Sequence, residues 1–188
     1  TCPTEALAEY IRQFHKNVVV VPDRFDMEKV PEPKKHKGKA KHVVWFGYSH
    51  NSETLKPAMP IIDELELHLI IISNEDPLDR WHRRNDDRYT FVKYEEETIY
   101  QELQKADFAI LPDGLRPEDL FKSNNKTIKA NLAGLPVAKT PEQVRLYMDG
   151  GARNEWFDSS YGKITTQYDV RESVKDMKQV IKNIQEIG

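Results

Sequence analysis

The stretch Lys122-Ser123-Asn124-Asn125-Lys126-Thr127-Ile128-Lys129-Ala130-Asn131-Leu132-Ala133-Gly134-Leu135-Pro136-Val137 changes character twice along its length. It opens with polar groups able to hold a phosphate and to cap a helix. It continues at helical spacing, with Ile128, Leu132 and Leu135 as the apolar members. Gly134 is a natural helix stop, and Leu135 to Ala138 reads as a short apolar strand. In open α/β folds a polar loop that feeds a helix N-terminus beside a strand is where anionic ligands bind. The stretch therefore predicts both a fold and a ligand class.

The flanking sequence repeats the same alternation. Upstream, Val43 to Phe46 reads as a strand broken by Gly47, and Ser52 as the cap of a helix carrying Leu55, Met59, Ile62 and Leu65. Leu67 to Ile72 is a continuous apolar run, the pattern of a strand buried on both faces. Tyr89 to Val92 follows as a strand, Glu95 to Lys105 as a helix, and Phe108 to Leu111 as a strand stopped by Pro112. Downstream, Glu142 to Met148 reads as a helix with Pro141 in its first turn, Lys163 to Thr165 as a short strand, and Val170 to Ile184 as a long amphipathic helix. Strand and helix alternating in this way imply an α/β fold, a Rossmann-like parallel sheet with helices on both faces. The domain is expected to run over residues 41–188. Before it, Thr4 caps a helix ending near Asn17, Val18 to Val21 reads as a buried strand, and Glu28 to Lys41 reads as a solvated Lys/Pro-rich linker.

Composition narrows the function classes. The chain has 188 residues, 38% of them hydrophobic, and a net charge of −3, which argues against a nucleic-acid surface. The single cysteine, Cys2, predicts an intracellular, cytoplasmic setting. No apolar run approaches the ~20 residues that span a bilayer. The start at Thr1, without Met and directly before a helical pattern, reads as a piece of a longer protein. The six histidines show no metal spacing, and no nucleophile stands beside a base, so no metal and no cofactor are expected. The acids Asp76, Asp79, Asp86, Asp87 and Glu95 to Glu97 read as solvated surface, and Trp81 with Arg80, Arg83 and Arg84 as an exposed helix with one buried aromatic.

Ligands of such a sheet sit at the carboxyl ends of its strands. That rule selects Gly47-Tyr48-Ser49, whose glycine lets backbone approach a ligand, and Leu111-Pro112-Asp113-Gly114. It also selects the helix start Lys122, Ser123, Asn124, Asn125 and Lys126, with Lys129 further along. Lys122 and Lys126 are four apart and share a helix face, where an anion would relieve their repulsion. Ser73 to Pro77 reads instead as a turn. Neither Gly-x-Gly-x-x-Gly nor Gly-x-x-x-x-Gly-Lys-Ser/Thr is present.

Ser123 to Val137, preceded by Ala106-Asp-Phe-Ala-Ile-Leu-Pro112, resembles the donor-binding segment of GT-B glycosyltransferases. Val43-Val-Trp-Phe-Gly-Tyr48 is similar to the strand and loop that open the family's C-terminal lobe, and residues 1–40 to its inter-lobe crossover. The resemblance implies the C-terminal lobe of a GT-B fold and metal-independent transfer of a sugar from a nucleoside diphosphate sugar to an acceptor. It implies a base site near Leu111 to Gly114 and a diphosphate site near Gly47 and Ser123 to Lys126. The family's catalytic base comes from an N-terminal lobe, so this chain alone is expected to be inactive, with that lobe as a partner and peripheral membrane contact made through it. Two departures stand out. Lys129 occupies the position of a ribose-binding glutamate, and an ammonium cannot accept a hydroxyl hydrogen bond. Tyr48 follows Gly47 where arginine is common, and Lys56 only loosely matches the family's lysine. A non-catalytic nucleotide-binding or protein-interaction module on the same fold, and a flavodoxin-like domain, are the alternatives.

Overall fold

The computed structural model describes residues 1–77, 87–114 and 116–187. Five strands, β1 (His42–Phe46), β2 (His68–Ser73), β3 (Tyr89–Lys93), β4 (Phe108–Ile110) and β5 (Val137–Ala138), form one parallel sheet in the order β3-β2-β1-β4-β5. Val43 pairs with Leu69 on one side and Phe108 on the other. β1 and β2 are nearly all buried because helices cover both faces, which is why Leu67–Ile72 lacks polar alternation. Trp45, Phe108, Leu69 and Ile71 are the centre of the core. The chain steps outward from β1 to β3, then returns to the far side of β1 for β4. That reversal opens a crevice above β1 and β4.

The helices are α1 (Glu5–Arg12), α2 (Met59–Glu64), α3 (Ile99–Leu103), α4 (Asn125–Leu132), α5 (Pro141–Leu146), α6 (Gly150–Gln167) and α7 (Val170–Ile187). A 3-10 helix, Ser49–Ala58, replaces the first part of the helix expected from Ser52; Pro57 and Pro60 each lack the N–H an α-helical ladder needs there. Thr4 caps α1 by accepting the Leu7 N–H, as its position predicts, but the helix stops at Arg12. No helix among the described residues is long and apolar enough to cross a membrane. The cluster Arg80, Trp81, Arg83 and Arg84, with Asp79, His82 and Asp86, lies outside the described residues.

Three expectations are corrected. Val18–Val21 is not a strand: only Val20 makes an isolated bridge, to Cys2, since the sheet is complete without it. Lys163–Thr165 is not a strand either. It belongs to α6, whose aromatics Trp156, Phe157 and Tyr161 pack along a helix that Gly162 and paired Ser and Thr residues had disguised. The segment expected to be solvated linker is, over Pro33–Ala40, a strap laid on the domain. The Lys34 N–H donates to the Ala133 carbonyl (3.1 Å) and the Ala40 N–H to the Met148 carbonyl (2.9 Å). Buried Arg153 donates to the carbonyls of Tyr147 (2.6 Å) and Gly38 (2.9 Å), so one guanidinium joins α5, α6 and the strap.

Candidate functional site

A cavity of about 610 Å³ lies at the carboxyl ends of the strands, over the crevice between β1 and β4. Each wall follows from a strand end. After β1, Gly47 takes φ +153°, and a Cβ there would sit 3.4 Å from Lys126 Nζ and 3.5 Å from the Trp45 ring. The glycine thus keeps the floor of the cavity open beside both groups. Tyr48 is 65% exposed at the rim and stacks on His50. Asn74 follows β2, Lys93 ends β3 and Tyr94 follows it, Pro112 and Asp113 follow β4, and Lys139 follows β5. Lys139 Nζ pairs with Asp113 at 2.6 Å across the mouth.

The fourth wall is the start of α4. Asn124 makes no side-chain cap, so the first-turn amides keep their donors and the positive end of the helix dipole is uncovered. Asn125 donates to Asp23 Oδ2 at 2.8 Å, and its own Oδ1 is buried without a partner among the described residues. Lys122 pairs with Asp119 at 2.5 Å. That contact, with the Arg116 N–H, holds the Asp119 carboxyl below the usual carboxylate range.

Lys122 precedes α4 in extended conformation and does not share a helix face with Lys126, contrary to the expectation from their spacing; the lysines around the cavity also differ in state. Lys126 is exposed to the cavity, and partial desolvation by the groups around its ammonium, followed by the nearby Lys122 charge, pulls its pKa down. Its Nζ lies 5.8 Å over the Trp45 ring and has no carboxylate or hydrogen-bond partner among the described residues. Lys129 lines the same cavity but is paired: its Nζ donates to Glu96 Oε1 (2.8 Å) and Oε2 (3.0 Å) and to the Tyr94 hydroxyl (3.1 Å). Burial pulls the Lys129 pKa down, but the hydrogen bonds to Glu96 and Tyr94 outweigh it and hold it above the ordinary lysine value. Chemically, the cavity offers two ammoniums without a carboxylate partner among the described residues, Lys93 and Lys126, a half-shared one, Lys122, and helix amides, which together are a seat for an anion.

The structure brings Gly47, Tyr48, Pro112, Asp113, Lys122, Ser123, Asn124, Asn125, Lys126 and Lys129 around this one cavity. Ser49 is not among its lining: it is buried, its N–H donates to Asn74 Oδ1 (2.9 Å) and its hydroxyl to Glu75 Oε2 (3.4 Å). Asn74 and Glu75 thereby order the loop that was read as a plain turn. Sequence reasoning missed Lys93, Tyr94, Lys139, Glu96 and Asp119. Lys93 ends a strand and Tyr94 and Lys139 directly follow strands, and the carboxyl-end rule would have found all three. Asp119 stands at i,i+3 to Lys122, a visible pairing signal. Glu96 carried no signal, because its partner is 33 residues away. Among the described residues no group of His, Cys, Asp and Glu side chains could hold a metal ion.

No protein-family model and no curated protein matches the sequence. The fold does have a match, in the crystal structure of Anabaena HepE in complex with UDP and glucose. The TM-score is 0.52 at 12% identity, over 89% of this chain and 56% of that one. The chain thus spans little more than half the length of that structure, and at such identity the likeness is one of fold. With its five parallel strands and the crevice above β1 and β4, the chain takes the Rossmann-like α/β fold of a GT-B lobe.

Proposed function

We propose that the cavity binds a nucleoside diphosphate sugar and that the chain is the donor-binding lobe of a glycosyltransferase. The observation that carries this reading is Lys126, an ammonium that faces the cavity beside the amides of α4 with no carboxylate partner among the described residues. A partly desolvated cation without a counter-ion gains nothing from its place in a purely structural role. It is expected where an anionic ligand completes it. The match to HepE, whose crystal holds UDP and glucose, supports the same ligand class. The cavity volume suits a ligand of that size.

In this reading the diphosphate lies against Lys126, Lys122 and the first turn of α4, and the base lies near Leu111 to Gly114. As the bond to the sugar breaks, negative charge grows on the diphosphate, and the fixed ammonium and amides stabilise it without needing to reorganise. Residues 1–40 serve as the crossover to a second lobe, which supplies the acceptor site and the catalytic base. Alone, this chain binds donor without transferring it.

The test is a calorimetric titration of the folded domain with UDP, GDP, ADP and CDP, in EDTA and in Mg²⁺, beside Lys126→Ala. One nucleotide should bind in both buffers and lose at least tenfold in affinity in the variant. A folded domain that binds none of the four overturns the reading in favour of a non-catalytic module on the same fold.

A further inference from the structure

The opposite end of the sheet carries a charged surface of its own. There the strap crosses the amino ends of three strands. Lys34 Nζ donates to the Ala106 carbonyl at 2.6 Å, just before β4, and pairs with Asp107 at 3.4 Å. His36 Nε2 donates to the carbonyl of Gly134, ahead of β5, at 2.7 Å. Asp107 accepts the N–H groups of Lys41 (2.7 Å) and His42 (3.0 Å), where β1 begins. Lys34, His36 and Ala40 are the inward residues, and the last two are buried. Inward and outward residues alternate, as in extended chain. Lys35, Lys37, Lys39 and Lys41 therefore fall on the outer side, and all four are exposed.

None of these four ammoniums has an ion-pair or hydrogen-bond partner among the described residues. The carboxylates at the strap are already engaged: Asp107 as above, and Asp149 with the Ala152 N–H at 3.0 Å, as the cap of α6. A free linker would let like charges spread apart. This backbone cannot, because hydrogen bonds to Ala133, Met148 and Arg153 pin it. The chain as a whole carries a net charge of −3, so the basic strip is a local excess. Its chemistry selects the partner. A lysine is a compact charge on a flexible stem, without the fork that reads one phosphate or one base edge. Residues 33–41 contain no arginine and no phenylalanine, tyrosine or tryptophan, so there is no platform on which bases could stack. Four lysines side by side suit a fluid layer of anionic headgroups, which can move to meet them. No apolar side chain projects between them, so such a contact stays at the headgroup level.

We infer that Lys35, Lys37, Lys39 and Lys41 form a docking strip for an anionic lipid surface. The inference stands on the strap alone and does not depend on the donor-lobe reading. The cavity opens at the carboxyl ends of the strands, while Lys41 directly precedes β1. The five residues of β1 separate the two ends by roughly 16 Å. A lipid surface against the strip therefore leaves the cavity mouth clear for a ligand arriving from water.

The experiment co-sediments the chain with vesicles of phosphatidylcholine alone and of phosphatidylcholine mixed with phosphatidylglycerol. Wild type should bind the mixed vesicles at least tenfold more tightly than the neutral ones. Binding should weaken as salt shortens the Debye length from about 10 Å at 0.1 M toward about 3 Å at 1 M. Changing all four lysines (Lys35→Gln, Lys37→Gln, Lys39→Gln, Lys41→Gln) should cost at least tenfold, and changing all four to arginine should keep the binding. Lys16→Gln with Lys163→Gln removes two exposed lysines elsewhere and should change it by less than about twofold. Binding that is absent, that is equal on neutral vesicles, or that survives the fourfold glutamine change overturns the inference. So does tighter binding of a polyuridine or polyglutamate probe at the same ionic strength. Thermal melts confirm that the variants are folded. Lys37→Gln with Lys39→Gln, expected to weaken binding at least fivefold, decides the matter if the fourfold variant does not fold. The nucleotide titrations are read separately, so either reading can fail while the other stands.

Discussion

The Lys126 ammonium stands 5.8 Å over the ring of Trp45, and Trp45 is fully buried in the centre of the sheet. The lysine therefore rests on the core, with its charge facing a cavity rather than a carboxylate. Partial desolvation, and then the charge of Lys122, pull its pKa below the ordinary lysine value. The folded state binds this proton less tightly than the unfolded state does. Below the folded pKa the charged lysine is a net destabilising group, so removing it should help the fold and harm the site.

Lys126→Met accordingly should raise the melting temperature and weaken anion binding at the same time. Because the side chain is exposed, solvent screens the effect and the gain is held to about 1–2 °C. Differential scanning calorimetry beside a pyrophosphate titration reads both effects. A variant that melts earlier than wild type would show that the lysine is structural, and the opposite signs expected here would be refuted.

The same desolvation gives anion binding a pH dependence. Only the ammonium form binds a phosphate, and free Lys126 loses its proton below the ordinary lysine range of about 10.5. Affinity for a diphosphate should therefore be flat at neutral pH and fall as pH rises through that depressed pKa. Bound anion favours the charged form, so binding near that pH takes up a proton. Calorimetry in buffers of differing ionisation enthalpy measures this uptake. In Lys126→Arg the uptake should vanish while binding persists, because a guanidinium stays charged throughout.

How much of this was legible in the sequence depends on whether the cause was local. β1 and β2 announced themselves, because strands covered on both faces have no polar positions to hide behind. The cavity followed from the order of strands and helices, since the rule that places ligands at strand ends needs only topology. Ser49 was misplaced because its partners, Asn74 and Glu75, lie a full strand later. α6 was invisible because its apolar residues do not form one stripe. The strap was invisible because its hydrogen bonds use backbone groups, which every sequence has. Glu96 was read as solvated surface, and it is indeed exposed; what the sequence could not show is that Lys129 and Tyr94 hold it in one direction.

Gly134 is the point where the strap and α4 touch. Its φ is +86°, and an added Cβ would lie 2.5 Å from the Lys34 backbone nitrogen and 3.0 Å from Pro33 Cβ. Both the conformation and the space exclude a side chain. Gly134→Ala should destabilise the domain by about 2–4 kcal/mol, the range of overpacking combined with backbone strain. Urea unfolding checks this. Gly162 meets nothing within 4 Å and sits inside α6, so Gly162→Ala is the control and should stabilise by about 0.5–1 kcal/mol through helix propensity. Equal effects at the two sites would mean that the strap does not bear on Gly134.

His36 makes the strap sensitive to acid. Its Nε2 donates to the Gly134 carbonyl at 2.7 Å, and its Nδ1 accepts from Arg153 Nε at 3.4 Å. That arrangement requires the neutral ring with the proton on Nε2; a second proton, on Nδ1, would face the Arg153 guanidinium. Burial depresses the His36 pKa, the Gly134 hydrogen bond opposes, and the charges of Arg153 and Lys34 depress it further, with Asp107 acting the other way. A depressed folded pKa means that the unfolded chain binds more protons. Stability from this group is complete above the ordinary histidine value of about 6.5 and is lost as pH falls from there through the folded pKa. One proton limits the slope to about 1.4 kcal/mol per pH unit. His68, also depressed by burial and by His42, titrates in the same window, so the informative quantity is a difference. His36→Gln keeps an N–H for the Gly134 carbonyl and cannot titrate. Urea unfolding between pH 7.5 and 5 should show wild type losing stability faster than His36→Gln. Parallel pH profiles would mean that the His36 ring keeps the same proton affinity whether or not the strap is in place.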